Sequence, residues 1–253
     1  MSGSHAHALH YHGHSPVHHL PAETKLVGLL VFVLSVVSTP PTAIWAFSGY
    51  ALILMIALGL SEVPARFFIT RMAIDLPFVL FALLIPFVGV EPKIAIGPFA
   101  ISEPGLLSAW NILVKATLGA GASVMLAATT EVPDLLRGLQ RLKVPVVLVA
   151  IASFMIRYLD VVAGEFRRTR VAMAARGHNP RTVFDAKPLA VASGALFIRS
   201  YERGERVHQA MLARGYDGTW PSSGNERIAA KTWIVGLTPA LFAVIVAIAA
   251  RLL

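Results

Sequence analysis

Arginines in a duplicated segment and a run of histidines are the side chains of this 253-residue sequence best equipped for chemistry. The segment Arg168–Gly177, reading RTRVAMAARG, returns 38 residues later as Arg206–Gly215, reading RVHQAMLARG, with six of ten positions identical. A guanidinium presents five donors in a planar fork that matches carboxylates. Arg168, Arg176, Arg206 and Arg214 are therefore suited to docking on acidic groups of a partner, one device used twice. Near the N-terminus stand His5, His7, His10, His12, His14, His18 and His19. Neutral imidazoles so placed bind Ni²⁺, Co²⁺ or Zn²⁺. The plainer alternative for them is an unstructured tail with loose metal affinity.

Both copies of the repeat read as helix ends. Arg168, Ala172 and Ala175, and again Arg206, Ala210 and Ala213, fall at the i, i+4, i+7 spacing of one helix face. A strip of small residues lets a helix sink into a groove. Gly177 and Gly215 follow Arg176 and Arg214 directly, and Gly is the residue that most readily ends a helix in the left-handed conformation. Arginine near a helix C-terminus also suits the dipole. One Ala-Arg-Gly is what any well-terminated basic helix shows; two copies, with Met173 and Met211 also matching, favour a shared docking role.

The elements that must position these residues are mostly membrane helices. Hydrophobic residues make up 56% of the chain and charged residues 14%, far from the roughly 45–50% and 25% of soluble domains. Mean hydropathy is +0.67. Cysteine is absent, which excludes disulfides, thiolate metal sites and a thiol nucleophile. The N-terminus lacks the pattern of a cleavable secretory signal, so insertion is expected to rest on internal apolar segments.

Five stretches are apolar enough to cross a bilayer, roughly 24–39, 42–60, 75–90, 106–130 and 228–251. Pro40-Pro41 makes the first turn, and the alternating residues about Gly97-Pro98 predict a small hairpin or an irregular loop. A sixth stretch, Val144 to Ala163, carries Arg157 and Asp160 and has basic segments on both sides. Half of the 22 lysines and arginines lie from Gly164 to Arg227, and Arg137, Arg141 and Lys143 stand before the stretch. Loops rich in such residues stay cytoplasmic. A segment whose two flanks share one side does not cross, so 144–163 reads as a helix along the membrane face, with an ordinary sixth span as the alternative. Asp75 and Lys115 are candidate intramembrane functional charges, although capping or snorkelling near helix ends accounts for both.

The expected class is an all-α membrane protein: about five transmembrane helices plus a cytoplasmic helical coupling platform. Its divisions are a His-rich, disordered tail (1–22), transmembrane helices 1–4 (23–130), cytoplasmic coupling helices with the two Ala-Arg-Gly motifs (131–227) and a C-terminal transmembrane helix (228–253).

The run Thr129–Pro145, then Arg157–Glu165, then the two Ala-Arg-Gly motifs, resembles the transmembrane (T) component of energy-coupling factor (ECF) transporters, closest to the cobalt-type CbiQ branch. The resemblance extends from about residue 20 to the end. It implies that Ala175-Arg176-Gly177 and Ala213-Arg214-Gly215 end coupling helices seated in two ATP-binding-cassette subunits, CbiO-like. It implies too that the membrane part holds a substrate-binding membrane protein, CbiM-like, with or without a small CbiN-like subunit. It further implies a multi-pass place in a bacterial inner (cytoplasmic) membrane, no cofactor in this chain, and cobalt or nickel uptake, the former serving cobalamin biosynthesis. The histidine tail lies outside the family pattern.

Other functions fare worse. No Gly-x-x-x-x-Gly-Lys-Ser/Thr phosphate loop, His-Glu-x-x-His or Gly-x-Ser-x-Gly motif occurs, so the chain is expected not to be an enzyme or to hydrolyse ATP itself. A net charge of +8 without interleaved aromatic platforms speaks against nucleic acid, since membrane topology already demands that charge. A self-sufficient metal channel or carrier using the histidine tail is the alternative function. An intramembrane enzyme is a weaker one.

Overall fold

A computed structural model describes residues 11, 13, 15–88, 93–96, 99–178, 187–218 and 229–252. In chain order its elements are α1 (Ala22–Ser38), α2 (Ile44–Ser61), α3 (Ala65–Arg71), a 3-10 turn (Met72–Asp75), α4 (Leu76–Val88), β1 (Lys93–Ile96), β2 (Phe99–Ser102), α5 (Glu103–Thr129), α6 (Val132–Arg141), α7 (Val146–Ala175), α8 (Lys187–Leu212) and α9 (Ala230–Leu252). Among the described residues the regular structure is helical apart from one antiparallel hairpin, in which Lys93 pairs with Ser102 and Ile96 with Phe99. The expected hairpin is thus present as a strand pair, while Gly97-Pro98 themselves lie outside the described residues. Among the described residues five helices are long and apolar enough to cross a membrane: Ile44–Ser61, Ala65–Phe87, Pro104–Thr129, Val146–Ala175 and Ala230–Leu252.

Those five differ from the expected five in three places: α1 is not among them, the third begins earlier, and Val146–Ala175, expected to lie along the membrane face, is one of them. α1, at 17 residues, spans about 25 Å at 1.5 Å per residue and falls short of a hydrocarbon core of about 30 Å. The stretch expected at 75–90 begins instead at Ala65, because the 3-10 turn joins α3 to α4 without a break. Pro64 opens that helix from an extended conformation, and Arg71 lies over the Phe67 ring, 4.7 Å from its centroid. Likewise 144–163 does not stand alone. It is the first part of the 30-residue α7, which carries the first copy of the repeat at its far end.

Contacts divide the chain into two compact units, one of residues Lys143–Asn225 and the other built around α1–α6 and α9. The second unit is packed with small residues inside and large ones outside. Ala46, Ala82, Ala122, Ala128 and Ala243 are buried, whereas Leu52, Met55, Phe78, Leu80, Phe242 and Ile245 are more than half exposed. That inversion suits a bilayer, where large apolar side chains meet lipid at no cost and small ones let helices approach closely. Few aromatic residues enter the core. Phe32 meets Tyr50 edge-on at 5.9 Å, and the Tyr50 hydroxyl is satisfied by Thr39 Oγ1 at 2.8 Å.

Cations tie off both ends of α1. At its C-terminus the last carbonyls lack intrahelical partners. Lys115 Nζ donates to Val37 O at 2.9 Å, and Arg251 Nη2 donates to Ser38 O at 3.0 Å. Lys115 therefore caps a helix. At the N-terminal end, Lys25 Nζ donates to Thr129 O (2.9 Å), Thr130 Oγ1 (3.2 Å) and His18 O (3.3 Å), which matches the three protons of an ammonium. Arg141 on α6 pairs with the buried Glu23 at 2.9 Å, so α6 lies against α1 and groups with this unit rather than with α7 and α8. Asp75 is buried and accepts from Thr117 Oγ1 at 2.7 Å. It joins the 3-10 turn to α5 and does not snorkel.

Candidate coupling sites at two helix ends

The other unit is built on α7 and α8, which pack on each other. α7 starts after Pro145, which cannot continue a hydrogen-bonded turn upstream. Both helices stop by the same device. The Gly177 N–H donates to Ala174 O at 3.0 Å and the His178 N–H to Met173 O at 3.1 Å. In the second copy the Gly215 N–H donates to Leu212 O at 2.9 Å and the Tyr216 N–H to Met211 O at 3.0 Å. This pair of bonds, reaching back three and five residues, is the Schellman motif. It requires a left-handed residue at the glycine, and Gly177 and Gly215 have φ of +81° and +82°. A Cβ at either glycine would meet nothing within 4 Å, so backbone conformation alone, not crowding, demands glycine there. A residue with a Cβ pays about 1–2 kcal/mol for that conformation.

The cap fixes where each arginine points its backbone. Arg176 and Arg214 are the last residues before the left-handed turn, and both are exposed, as are Ala175, Gly177, Ala213 and Gly215. Arg168 and Arg206 are exposed two turns earlier, and Arg206 makes only a loose i, i+4 contact of 3.9 Å with Glu202. Ala172 and Ala210 are exposed too. Each copy therefore offers solvent a strip of arginine, alanine, alanine and arginine ending at the negative pole of a helix. The adjoining strip, with Thr169 and Met173 in the first copy and Val207 and Met211 in the second, is half-buried.

In the sequence Met173 and Met211 are matched positions with no evident task. The structure assigns one: each supplies the carbonyl that closes the cap, and each is half-buried together with the residue just past the glycine, His178 or Tyr216. A contact between those two positions commonly accompanies the motif. The signal was available as an apolar residue, a glycine four later and a ring-bearing residue after that.

The candidate metal ligands divide. His5, His7, His10, His12 and His14 lie outside the described residues. His18 has both ring nitrogens engaged, with Ser15 Oγ at 2.7 Å and Tyr11 O at 3.1 Å, so it holds the chain before α1 in place. Among the described residues no group of three or more histidine or carboxylate side chains is placed to hold a metal ion.

Two basic helix ends with one cap geometry, in a chain that also holds a lipid-suited helical unit, have counterparts among known proteins. The family described as CbiQ, cobalt transport protein, matches residues 13–225. The chain belongs to that family. The CbiQ cobalt transport protein of Rhodobacter capsulatus is 29% identical over 231 residues, covering 89% of this chain and 90% of the relative. The energy-coupling factor transporter transmembrane protein EcfT of Bacillus subtilis is 30% identical over 223 residues, 81% of this chain and 82% of the relative. EcfT of Heliobacterium modesticaldum is 25% identical over 217 residues, 81% of each. This CbiQ-family chain is thus a multi-pass membrane protein, a transmembrane component of the ECF transporter group.

Proposed function

We propose that this chain is the non-catalytic coupling subunit of an ECF-type importer. It passes the ATP-driven motion of two ATPase subunits, CbiO-like, to a substrate-binding membrane protein, CbiM-like, with cobalt as the cargo. The single observation that carries this reading is the duplicated end: the same Schellman cap, with an exposed arginine at the same place, closes both α7 and α8. One such end needs no partner to explain it. Two matched ends, both presented to solvent, fit two equivalent acceptors.

Chemistry decides how each end is held. Arg176 and Arg214 carry forked donors that reach beyond the last helical turn, and an acidic groove on an ATPase supplies the complementary carboxylates. Ala172 and Ala175, and likewise Ala210 and Ala213, let the helix enter that groove closely. Closure of the ATPases moves the two ends, and α7 and α8 carry the displacement to the bound membrane partner. The CbiQ relative from Rhodobacter capsulatus is named for cobalt transport, and that supports cobalt over nickel here.

A hydrogen bond to a charged group contributes about 1.5–3 kcal/mol, so loss of one arginine weakens that site by roughly tenfold to a hundredfold. The decisive test replaces both, Arg176→Ala with Arg214→Ala. The doubly changed protein is expected to insert normally, to co-purify without ATPase and to support no cobalt uptake in reconstituted vesicles. Full transport by it would sink the reading.

A further inference from the structure

We propose that Glu165 and Arg203 form the fulcrum of the two arginine-tipped helices, a positioning pair lying on a local twofold axis that relates α7 to α8. The proposal rests on the coupling reading for its purpose, although its geometry stands without it. The two side chains form an ion pair between the helices, and their separation in sequence, 203 minus 165, is 38. That is the offset of the repeat itself, Arg214 from Arg176. Glu165 and Arg203 are therefore equivalent positions of the two copies. In an interface made by a twofold axis, position i of one copy meets j of the other and j meets i. A position meets its own equivalent only on the axis.

Burial carries the symmetry past the point where the letters stop matching. Sequence identity begins at Arg168 and Arg206, yet the same offset relates half-buried Val162 to Ser200, Thr169 to Val207 and Met173 to Met211. The packed strip is one strip used twice, with different residues. Opposite charges at the axis also follow from physics. Identical residues there would set carboxylate against carboxylate or guanidinium against guanidinium. The copies differ here because the axis cannot tolerate like charges. With the Glu165 and Arg203 side chains only 17% and 36% exposed, the pair is screened less than one in open water.

From the axis the two arms are equal. Arg176 lies eleven residues beyond Glu165 and Arg214 eleven beyond Arg203, which is about 16 Å of helix each. A rotation about the pair moves both tips by the same amount, as two equivalent ATPases closing together require.

The absence of cysteine makes the test direct. Val171→Cys and Gln209→Cys place spin labels at equivalent exposed positions of the two arms, and pulsed dipolar spectroscopy on the full chain in lipid nanodiscs reads the distance distribution between them. Glu165→Gln is expected to broaden that distribution at least twofold, and the exchanged pair Glu165→Arg with Arg203→Glu to restore it. In the complex reconstituted without labels, Glu165→Gln is expected to lower cobalt moved per ATP hydrolysed at least fivefold while ATPase binding stays within twofold. An unchanged distribution or an unchanged transport ratio in Glu165→Gln overturns the proposal. A wild-type chain that captures no ATPase overturns the coupling reading instead, and the label distances still decide the fulcrum.

Discussion

The last turns of α7 and α8 share a cap, an arginine and a half-buried strip, whereas their earlier stretches share almost nothing. α7 begins with a shaft that exposes mostly apolar side chains, Val147, Leu148, Ile151, Met155 and Leu159, with Arg157 and Asp160 exposed among the last of them. α8 begins with Lys187 and exposes Ser193, Arg199 and Glu202 among Val191, Phe197 and Ile198. Equivalent positions differ in both directions at the repeat offset of 38: Met155 corresponds to Ser193 and Val161 to Arg199, whereas Arg157 corresponds to Ala195 and Asp160 to Ile198. Common ends on unlike shafts indicate that the ends answer to a common constraint and the shafts to different surroundings. On the coupling reading, the common constraint is the pair of ATPases.

The largest effect should come from breaking what the two copies share. Gly177→Val or Gly215→Val puts a β-branched residue where φ is +81° or +82°, at a cost of at least about 1–2 kcal/mol, and unravels the cap that places the neighbouring arginine. Titration of the purified chain with ATPase should then fall from two subunits bound to one, with at least tenfold weaker binding at the altered end. Asparagine tolerates the left-handed conformation, so Gly177→Asn and Gly215→Asn should recover most of the binding. If valine at either glycine leaves both sites intact, the matched caps are incidental to docking.

Sequence reasoning reached these ends because everything that makes them is local. A helix end is written within six residues, from the carbonyl of Met173 to the N–H of His178, and the repeat doubles the signal. Most of the membrane helices were legible for the same reason, as apolar runs; Val146–Ala175 was not, because the basic residues on both flanks of 144–163 pointed to a helix that does not cross. What was not legible was set by partners far along the chain. Nothing local to Ala65–Asp75 says that a 3-10 turn will carry α3 into α4 as one span. Arg141 reads as a cytoplasmic topology charge until Glu23, 118 residues away, is seen beside it, and that contact draws α6 away from the repeat. Glu165 and Arg203 lie between these cases. Their offset was present in the sequence, but the residues upstream of Arg168 do not match those upstream of Arg206, so only the ion pair extends the repeat that far.

A smaller effect should follow from making the shafts alike. Met155→Ser with Val161→Arg gives α7 the residues that α8 carries at the same places. ATPase binding, which belongs to the ends, should stay within twofold. Retention of the substrate-binding membrane protein through purification should fall about fivefold, the consequence of about 1 kcal/mol lost at an apolar contact. Equal loss of both partners would mean that shaft and end are not separable, and the contrast between them would lose its functional meaning.

The smallest effect concerns the faces of the ends themselves, where Arg170 and Val171 in the first copy stand against His208 and Gln209 in the second. All four are exposed, and surface substitutions of this kind change free energies by about 0.5 kcal/mol or less, close to twofold in affinity. His208→Arg with Gln209→Val makes the second face a copy of the first. Each site can be isolated in turn by Arg176→Ala or Arg214→Ala and titrated against the same ATPase. If the two ATPases of the assembly are identical, the sites should start within about twofold of each other and converge after the exchange. If they are different proteins, each should prefer its own face, and the exchange should make the second site bind the first site's partner. The residues that differ between the copies therefore carry the information about whether the partners differ, while the residues that match carry the information that there are two of them.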